Sequence, residues 1–161
     1  MAAPVVQLPP RMVRCGPRHF VGINGRFDRA TMGEIPALWA RFNAADPAIA
    51  NSLGEAAYGV VHNFVGTGWD YACAYEVSGP VAAPPDGFVA ISFPDRDFAV
   101  FAAPGDLSTI GQVMEEAMDW IAASDMDFAN GPTLERYGAD FDPATGTGGF
   151  EVWVAVTPRA A

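Results

Sequence analysis

The sequence predicts an α+β fold built from two consecutive strand–helix–strand–strand (βαββ) units. Apolar residues repeat at helical spacing in two stretches, which begin near Thr31 and Ser108. Each stretch follows one strand pattern and precedes two others, and a proline-rich connector separates the halves. The halves, at about residues 18–78 and 97–157, can pair their strands about a pseudo-two-fold axis. We expect one antiparallel sheet with two main helices on one face and a central cleft, which is a natural ligand site.

The sequence predicts a short N-terminal arm followed by one domain. The 161 residues are enough for a single domain with a sizeable core. Residues 1–10 are rich in proline and predict a flexible arm, and residues 11–161 form the predicted domain. The first strand pattern covers residues 11–28. The first helix begins at Thr31, which we expect to be its N-cap because Glu34 follows three residues later.

The later elements are predicted from alternating or periodic apolar residues bounded by glycine and proline. The sequence Asn130-Gly131-Pro132 predicts a turn before the last two strands. In chain order the predicted elements are strands at 56–64 and 69–77, a connector at 80–87, strands at 88–93 and 98–103, a helix at 108–124, and strands at 134–137 and 150–157.

The charge balance excludes some classes of partner. Nine Lys and Arg residues against 19 Asp and Glu residues give a net charge of −10. Nucleic acids and anionic membrane surfaces both attract basic residues, so we expect neither as a partner. No apolar run approaches the ~20 residues of a membrane-spanning helix, and the N-terminus lacks the basic start of a signal peptide. We therefore expect a cytoplasmic acidic protein.

Residues with metal-binding or nucleophilic chemistry are sparse. Cys15 and Cys73 do not have the spacing of metal ligands, and Cys73 fits a buried strand position. His19 and His62 have no accompanying nucleophile motif, and the sequence contains no phosphate-binding or dinucleotide-binding motif. We therefore assign no catalytic residue and expect neither a metal nor a cofactor.

Two glutamates near the C-terminus are the main candidates for a site. Glu135 and Glu151 lie in strand patterns rich in Tyr, Phe and Trp. A carboxylate in such surroundings loses hydration and is costly to bury without a partner. A bound organic cation supplies that partner, and aromatic faces add cation–π attraction. The competing interpretations are a surface glutamate paired with Arg136 for Glu135, and a charge that protects an edge strand for Glu151.

Aromatic residues supply the candidate walls of the cleft. Strand alternation places Glu151 and Trp153 on the same side of the last strand. The other candidate ligand-binding residues are Trp39, Tyr58, Trp69, Tyr71, Tyr75, Phe101 and Tyr137. We expect most of these aromatic residues to pack in the core and a few of them to contact a ligand.

Six short motifs, found in a fixed order, carry a family resemblance. They are Ile35-Pro36-Ala37-Leu38-Trp39-Ala40-Arg41-Phe42, Tyr58-Gly59-Val60, Trp69-Asp70-Tyr71 with Tyr75-Glu76-Val77, Phe98-Ala99-Val100-Phe101, Leu134-Glu135-Arg136-Tyr137, and Phe150-Glu151-Val152-Trp153-Val154-Ala155-Val156. Together they cover about residues 18–157. In this order they resemble the GyrI-like small-molecule-binding domain, which is also the effector-binding domain of certain transcription activators and occurs in stand-alone form. The resemblance implies a tandem of SHS2-like βαββ repeats.

The resemblance also implies a ligand class. Ligands of the family are typically hydrophobic cations held by a glutamate and aromatic residues, and the family's glutamate positions correspond to Glu135 and Glu151. The chain departs from the family pattern at Ala155, where proline is common, and at residues 121–125. The chain has no room for the helix-turn-helix domain of the transcription activators, so we do not expect direct binding to nucleic acid.

These observations predict a stand-alone protein that binds amphipathic, cationic organic compounds in an aromatic cleft, with a glutamate as counter-charge. Such a protein serves multidrug recognition, either as a sensor or by sequestration. Two alternatives stay open. One is a hydrolase of electrophilic small molecules that uses Glu and Tyr as acid and base groups. The other is a partner of gyrase or of the transcription machinery.

Overall fold

The computed structural model describes residues 4–45, 49 and 51–159 of the chain. Short 3-10 turns at Met32–Glu34 and Leu107–Thr109 lead into the two helices. The strands and helices are β1 (Arg11–Cys15), β2 (Arg18–Phe27), α1 (Ile35–Ala45), β3 (Ser52–Val65), β4 (Gly68–Val77), β5 (Val89–Phe93), β6 (Arg96–Ala103), α2 (Ile110–Ala123), β7 (Met126–Tyr137) and β8 (Phe150–Pro158).

The strands form one eight-stranded antiparallel sheet in the order β1-β6-β8-β7-β3-β4-β2-β5. β2, α1, β3 and β4 make the first βαββ unit, and β6, α2, β7 and β8 make the second. The units meet where β3 pairs with β7. Read outward from this pair, the order is β3-β4-β2 on one side and β7-β8-β6 on the other. The predicted α+β class and tandem βαββ arrangement are therefore confirmed.

The two edges of the sheet lie close together. β1 pairs with β6 at one edge, and β5 pairs with β2 at the other. However, only Gly16 and Pro17 separate β1 from β2, and only Pro94 and Asp95 separate β5 from β6. Such a join spans at most roughly 11 Å, whereas six strand spacings in a flat sheet measure roughly 29 Å. The sheet must therefore curl, and one of its faces is concave.

The two faces of the sheet carry separate hydrophobic cores. Both helices pack on one face, where Phe42 of α1 and Val113 of α2 are almost fully buried. We call this the helix-covered face. The opposite face, which we call the concave face, buries a second core without a helix. The buried members of that core are Phe20, Ala56, Tyr58, Val60, Ala72, Ala74, Phe98, Val100, Leu134 and Ala155.

Two local predictions from turn and cap chemistry are wrong. Asn130 and Gly131 do not form a turn between elements but lie within β7, with φ values of 61° and 110° at a register irregularity in its pairing with β8. Thr31 occupies the N-cap position of the 3-10 turn, but its side chain caps none of that turn's N–H groups and accepts from the backbone N–H of Asp28 at 2.9 Å. Instead, the carboxylate of Asp28 accepts hydrogen bonds from the backbone of Ala30 and Thr31 at 2.8 and 3.0 Å. An ionised oxygen is the stronger acceptor of the two available side chains.

Part of the predicted N-terminal arm contacts the domain. Residues 1–3 lie outside the described part of the chain. Val6 is buried in the core beneath α2, and the backbone N–H groups of Val5 and Val6 donate to the carboxylate of Glu116. The backbone of Gln7 donates to Ala102 of β6. Residues 5–7 therefore contribute to the domain, although the sequence placed them in the arm.

Among the described residues, no helix is both long enough and apolar enough to cross a membrane.

Candidate functional site

Glu135 of β7 lies on the helix-covered face and is only 8% exposed. The hydroxyl of Tyr71 donates to Oε1 of Glu135 at 2.6 Å, and the hydroxyl of Tyr137 donates to the same oxygen at 2.7 Å. The described residues donate no hydrogen bond to Oε2. One carboxylate oxygen is thus fixed by two phenols, and the other is left for a further partner.

Trp39 connects α1 to this carboxylate. Its indole N–H donates to the Tyr71 hydroxyl at 2.9 Å, so the hydrogen bonds run from Trp39 to Tyr71 to Glu135. The Trp39 ring meets the Tyr137 ring edge to face at 5.6 Å between centroids and the Tyr71 ring at 6.4 Å. The Phe141 ring packs against the Tyr137 ring at 4.7 Å between centroids. The carboxylate is therefore enclosed by an aromatic cluster, which we define as Trp39, Tyr71 and Tyr137.

Gly59 of β3 makes this arrangement possible. It is the residue that pairs with Glu135 on one side and with Cys73 of β4 on the other. A Cβ atom at position 59 would collide with the Tyr71 hydroxyl and would lie 2.7 Å from Oε1 of Glu135. Glycine within a strand often marks such a close approach. The sequence contained this signal in Tyr58-Gly59-Val60, although Gly59 was not among the predicted site residues.

The electrostatic state of the site follows from burial. Burial raises the pKa of Glu135, and the hydrogen bonds from Tyr71 and Tyr137 act in the opposite direction. Burial and the adjacent carboxylate raise the pKa of both tyrosines, which therefore stay protonated and act as donors. Among the described residues, no Arg, Lys or His forms an ion pair with Glu135. The site holds one uncompensated carboxyl group surrounded by aromatic rings.

The family can now be assigned. The model of the GyrI-like small molecule binding domain matches residues 8–157. The chain belongs to this family. No match was found among curated protein sequences.

Solved structures similar to this GyrI-like domain share its fold at low sequence identity. SAV2435, solved bound to tetraphenylphosphonium, is 21% identical, with a TM-score of 0.73 over 93% of this chain and 94% of the other. A putative transcription regulation protein from Staphylococcus aureus MU50 is 20% identical, with a TM-score of 0.68 over 94% of this chain and 99% of the other. A hydrolase from Listeria innocua is 9% identical, with a TM-score of 0.55 over 92% and 91%. At these identities the likeness establishes the fold alone.

Three other predicted residues lie on the helix-covered face of the GyrI-like domain but do not contact Glu135 through a hydrogen bond. Tyr75 packs against Phe42 of α1 at 5.0 Å between ring centroids. Trp69 lies at the start of β4, against the core beneath α1. Phe101 is fully buried beneath α2 and makes an edge contact with Trp120. The structure gives Phe101 the environment of a core residue.

The remaining three predicted residues, Tyr58, Glu151 and Trp153, lie on the concave face. The register of β7 with β8 pairs Glu151 with Arg136 and Glu135 with Val152, so the two glutamates point to opposite sides of the sheet. Trp153 donates its indole N–H to Glu151 at 3.0 Å, as strand alternation predicted. The ten predicted residues are therefore divided between the two faces of the sheet, and the two glutamates do not share one cleft. Whether any of them contacts a ligand stays a prediction.

This separation also removes one basis of the hydrolase alternative. Glu135 and Glu151 in one apolar cleft would have favoured acid–base catalysis by a pair of carboxylates, but the structure gives each face only one of the two. Glu135 retains the chemistry of a weak base beside two phenol donors. Among the described residues, no second carboxylate and no activated nucleophile contacts it.

Sequence reasoning missed an ion pair on the concave face. Arg18 of β2 is 8% exposed, and its guanidinium donates to both oxygens of Glu76 at 2.7 and 3.0 Å. The guanidinium carbon also lies 4.9–5.6 Å from the ring centroids of Phe20, Tyr58, Phe98 and Trp153. Glu76 stands in the Tyr75-Glu76-Val77 motif, but its partner comes from a strand 58 positions earlier in the chain. No local pattern joins the two.

Proposed function

We propose that this GyrI-like domain binds a lipophilic organic cation on its helix-covered face, with Glu135 as the counter-charge. One observation carries the proposal. Glu135 is buried among aromatic rings with two phenol donors, and the described residues supply no basic partner for it. A buried carboxylate without a partner costs several kcal/mol. Proteins keep such a group where it has a use, and pairing with a cation is the use that this geometry supports.

The aromatic cluster favours a delocalised cation over a compact ammonium. A ring facing a cation adds roughly 0.5–1 kcal/mol at an exposed contact and about 2 kcal/mol at a desolvated one. A cation that spreads its charge over apolar groups loses little hydration on entering such a site, so more of this attraction remains as affinity. Tetraphenylphosphonium, the compound bound to SAV2435, has these properties and is the probe of choice.

Binding requires the cluster to open. The rings of Trp39 and Tyr137 are in edge contact over Glu135, and Glu135 is not part of the lining of the cavity of about 590 Å³ found on the concave face. Trp39 is the mobile candidate because it is half-buried and belongs to α1, whereas Tyr137 belongs to the central sheet. We expect the ligand to displace the Trp39 ring and to contact Oε2 of Glu135.

Calorimetric titration of the protein with tetraphenylphosphonium tests the proposal. We expect saturable binding that Glu135→Gln weakens by about 30-fold or more, because the variant keeps the shape and the acceptor for Tyr71 but loses the charge. Glu151→Gln is the matched control and is expected to bind within about twofold of wild type. Tetraphenylborate, with the same shape and the opposite charge, is expected not to bind at this site.

Equal affinity of wild type and Glu135→Gln for tetraphenylphosphonium would contradict the proposal. So would saturable binding of tetraphenylborate that the cation displaces, because the site would then select shape and not charge.

The family and the charge arrangement support sensing or sequestration of the cation. A hydrolase is the second candidate, supported by the raised pKa of Glu135 beside two hydroxyl donors. Turnover of an electrophilic substrate that Glu135→Gln abolishes would favour the hydrolase. A protein partner such as gyrase or the transcription machinery stays a prediction of the family resemblance.

A further inference from the structure

The concave face contains a cavity of about 590 Å³, within the size range of pockets that hold small organic ligands. It lies on the side of the sheet opposite Glu135 and is unrelated to the cation site proposed above. Its lining includes three arginines and two glutamates, a net charge of +1 in a chain whose net charge is −10. These five residues are Arg11, Arg18, Arg136, Glu76 and Glu151.

Both carboxylates of this cavity already have partners. Glu76 receives two hydrogen bonds from Arg18 at 2.7 and 3.0 Å. Glu151 receives one from the indole of Trp153 at 3.0 Å and one from Arg11 at 3.3 Å. A cationic ligand would have to compete with these arginines for each carboxylate, so the cavity offers no counter-charge of the kind found at Glu135.

The donors of the cavity are less well satisfied than its acceptors. The carboxylate nearest to the Arg136 guanidinium is that of Glu151, at 4.0 Å, and the Arg136 side chain is 39% exposed. The Tyr58 hydroxyl accepts a long hydrogen bond from Arg18 at 3.4 Å and donates a long one to Glu76 at 3.5 Å. Nη1 of Arg18 is buried and has no acceptor among the described residues. Donors in excess of acceptors fit a ligand that brings acceptors of its own.

The Arg18 guanidinium already occupies the position on the concave face that an organic cation would take. The guanidinium of Arg18 lies against four aromatic rings and is paired with Glu76, the arrangement expected for a bound organic cation. The concave face thus resembles a cation site occupied by the chain itself. Besides Arg18, the cavity lining contains Arg136, Tyr58, Trp153 and Pro17, of which Tyr58 is 5% exposed.

We propose that this cavity is a second ligand site and that it binds a small organic anion, a carboxylate carried on an apolar ring. Arg136 and the Tyr58 hydroxyl hold the carboxylate, and Trp153 and Pro17 contact the apolar part. The two faces of the sheet therefore select opposite charges, the cation at Glu135 and the anion at Arg136, which are consecutive residues of β7.

Titration with 2-naphthoate, followed by calorimetry, tests this site. We expect saturable binding that is at least about tenfold tighter than that of the uncharged isostere 2-naphthamide, because a carboxylate paired with an arginine is worth more than 1 kcal/mol. Arg136→Gln is expected to weaken 2-naphthoate binding about tenfold or more, and Tyr58→Phe, which keeps the ring, by a few-fold.

Arg29→Gln is the control, because it removes the same charge from an exposed position outside the cavity lining and is expected to leave 2-naphthoate binding unchanged. Circular dichroism and the thermal midpoint establish that Arg136→Gln is folded. Saturating tetraphenylphosphonium is expected not to displace 2-naphthoate.

Three kinds of result would overturn the inference. The first is the absence of saturable 2-naphthoate binding up to about 10 mM. The second is equal affinity for 2-naphthoate and 2-naphthamide, or equal affinity of folded Arg136→Gln and wild type. The third is displacement of 2-naphthoate by tetraphenylphosphonium, which would place both compounds in one site. Results that concern only 2-naphthoate, 2-naphthamide or Arg136→Gln do not bear on cation binding at Glu135, which Glu135→Gln tests separately.

Discussion

Glu135 and Glu151 belong to neighbouring strands of the same sheet and both lie beside aromatic rings, but their electrostatic surroundings are opposite. Glu135 accepts hydrogen bonds from two tyrosines and has no basic partner among the described residues. Glu151 is within 4.0 Å of both Arg11 and Arg136. Aromatic neighbours alone therefore do not identify a cation site. The deciding feature is whether the chain itself supplies the counter-charge.

Arg18 and Glu135 extend the comparison to the two faces of the sheet. Each is a charged residue that is 8% exposed and surrounded by aromatic rings. Arg18 is compensated by Glu76, whereas the carboxyl of Glu135 has no basic partner among the described residues. One face uses its buried charge for stability, and we propose that the other keeps its buried charge for binding. Three stability measurements separate these uses.

The largest effect is expected for Arg18→Ala. It leaves the carboxylate of Glu76 partly buried without its partner and removes the guanidinium from four ring contacts, so we expect the free energy of unfolding to fall by about 3 kcal/mol or more. Urea denaturation measures this. Arg14→Ala removes an exposed ion pair with Asp97 and is expected to cost less than about 1 kcal/mol. Similar losses in the two variants would show that the Arg18 pair contributes no more than a surface pair.

A smaller effect is expected for Gly59→Ala on the helix-covered face. The added methyl group must displace the Tyr71 hydroxyl from Glu135, which we expect to cost about 1–3 kcal/mol of the free energy of unfolding. Tetraphenylphosphonium affinity should fall as well, because the carboxylate loses its orienting donor. Gly111→Ala is the control, since a Cβ there meets nothing within 4 Å. If Gly59→Ala leaves both stability and affinity unchanged, the present position of the Tyr71 hydroxyl contributes to neither.

The smallest effect is the pH dependence that Glu135 adds. Because burial raises its pKa in the folded state, the folded protein binds the proton more readily than the unfolded chain does. The stability that the protonated carboxyl supplies is complete below the unfolded pKa of about 4.3 and is lost as pH rises through the raised folded pKa. We therefore expect wild type to lose stability relative to Glu135→Gln as pH rises from about 4 to about 8.

Urea denaturation of both proteins across this pH range gives the difference between their free energies of unfolding. The affinity for tetraphenylphosphonium should rise over the same pH interval, because the carboxyl of Glu135 ionises. Parallel stability profiles for wild type and Glu135→Gln would show that the pKa of Glu135 does not differ between the folded and unfolded states.

Much of the architecture was predictable because it depends on local patterns. Apolar periodicity located both helices, and Glu135 was identified as a buried carboxylate among aromatic residues. The assignment of faces was not predictable. Alternation within β8 correctly joined Glu151 to Trp153, but the relation between β7 and β8 depends on their register. A shift of one residue would have put Glu135 and Glu151 on the same side.

Other features that the sequence did not predict have the same cause, because they depend on strands that are distant in the chain. The burial of Arg18 depends on residues of β3, β4, β6 and β8, which no window of sequence contains. The turn chemistry of Asn130-Gly131-Pro132 was recognised correctly, but the sheet uses it for an irregularity inside β7 and not for a chain reversal. Local sequence identified the backbone conformation, and tertiary pairing determined where it lies.

The reciprocal pairing of the outer strands has a consequence for folding. β1 precedes the first βαββ unit but completes the edge of the second, and β5 does the reverse. Neither half of the chain therefore contains all the strands of its own sheet edge. Such distant pairings raise the contact order, which slows folding and makes the two units cooperative. If the chain were cut in the connector at residues 80–87, each fragment would retain a strand whose pairing partner is in the other fragment. We therefore expect the fragments to fold by associating with each other and not independently.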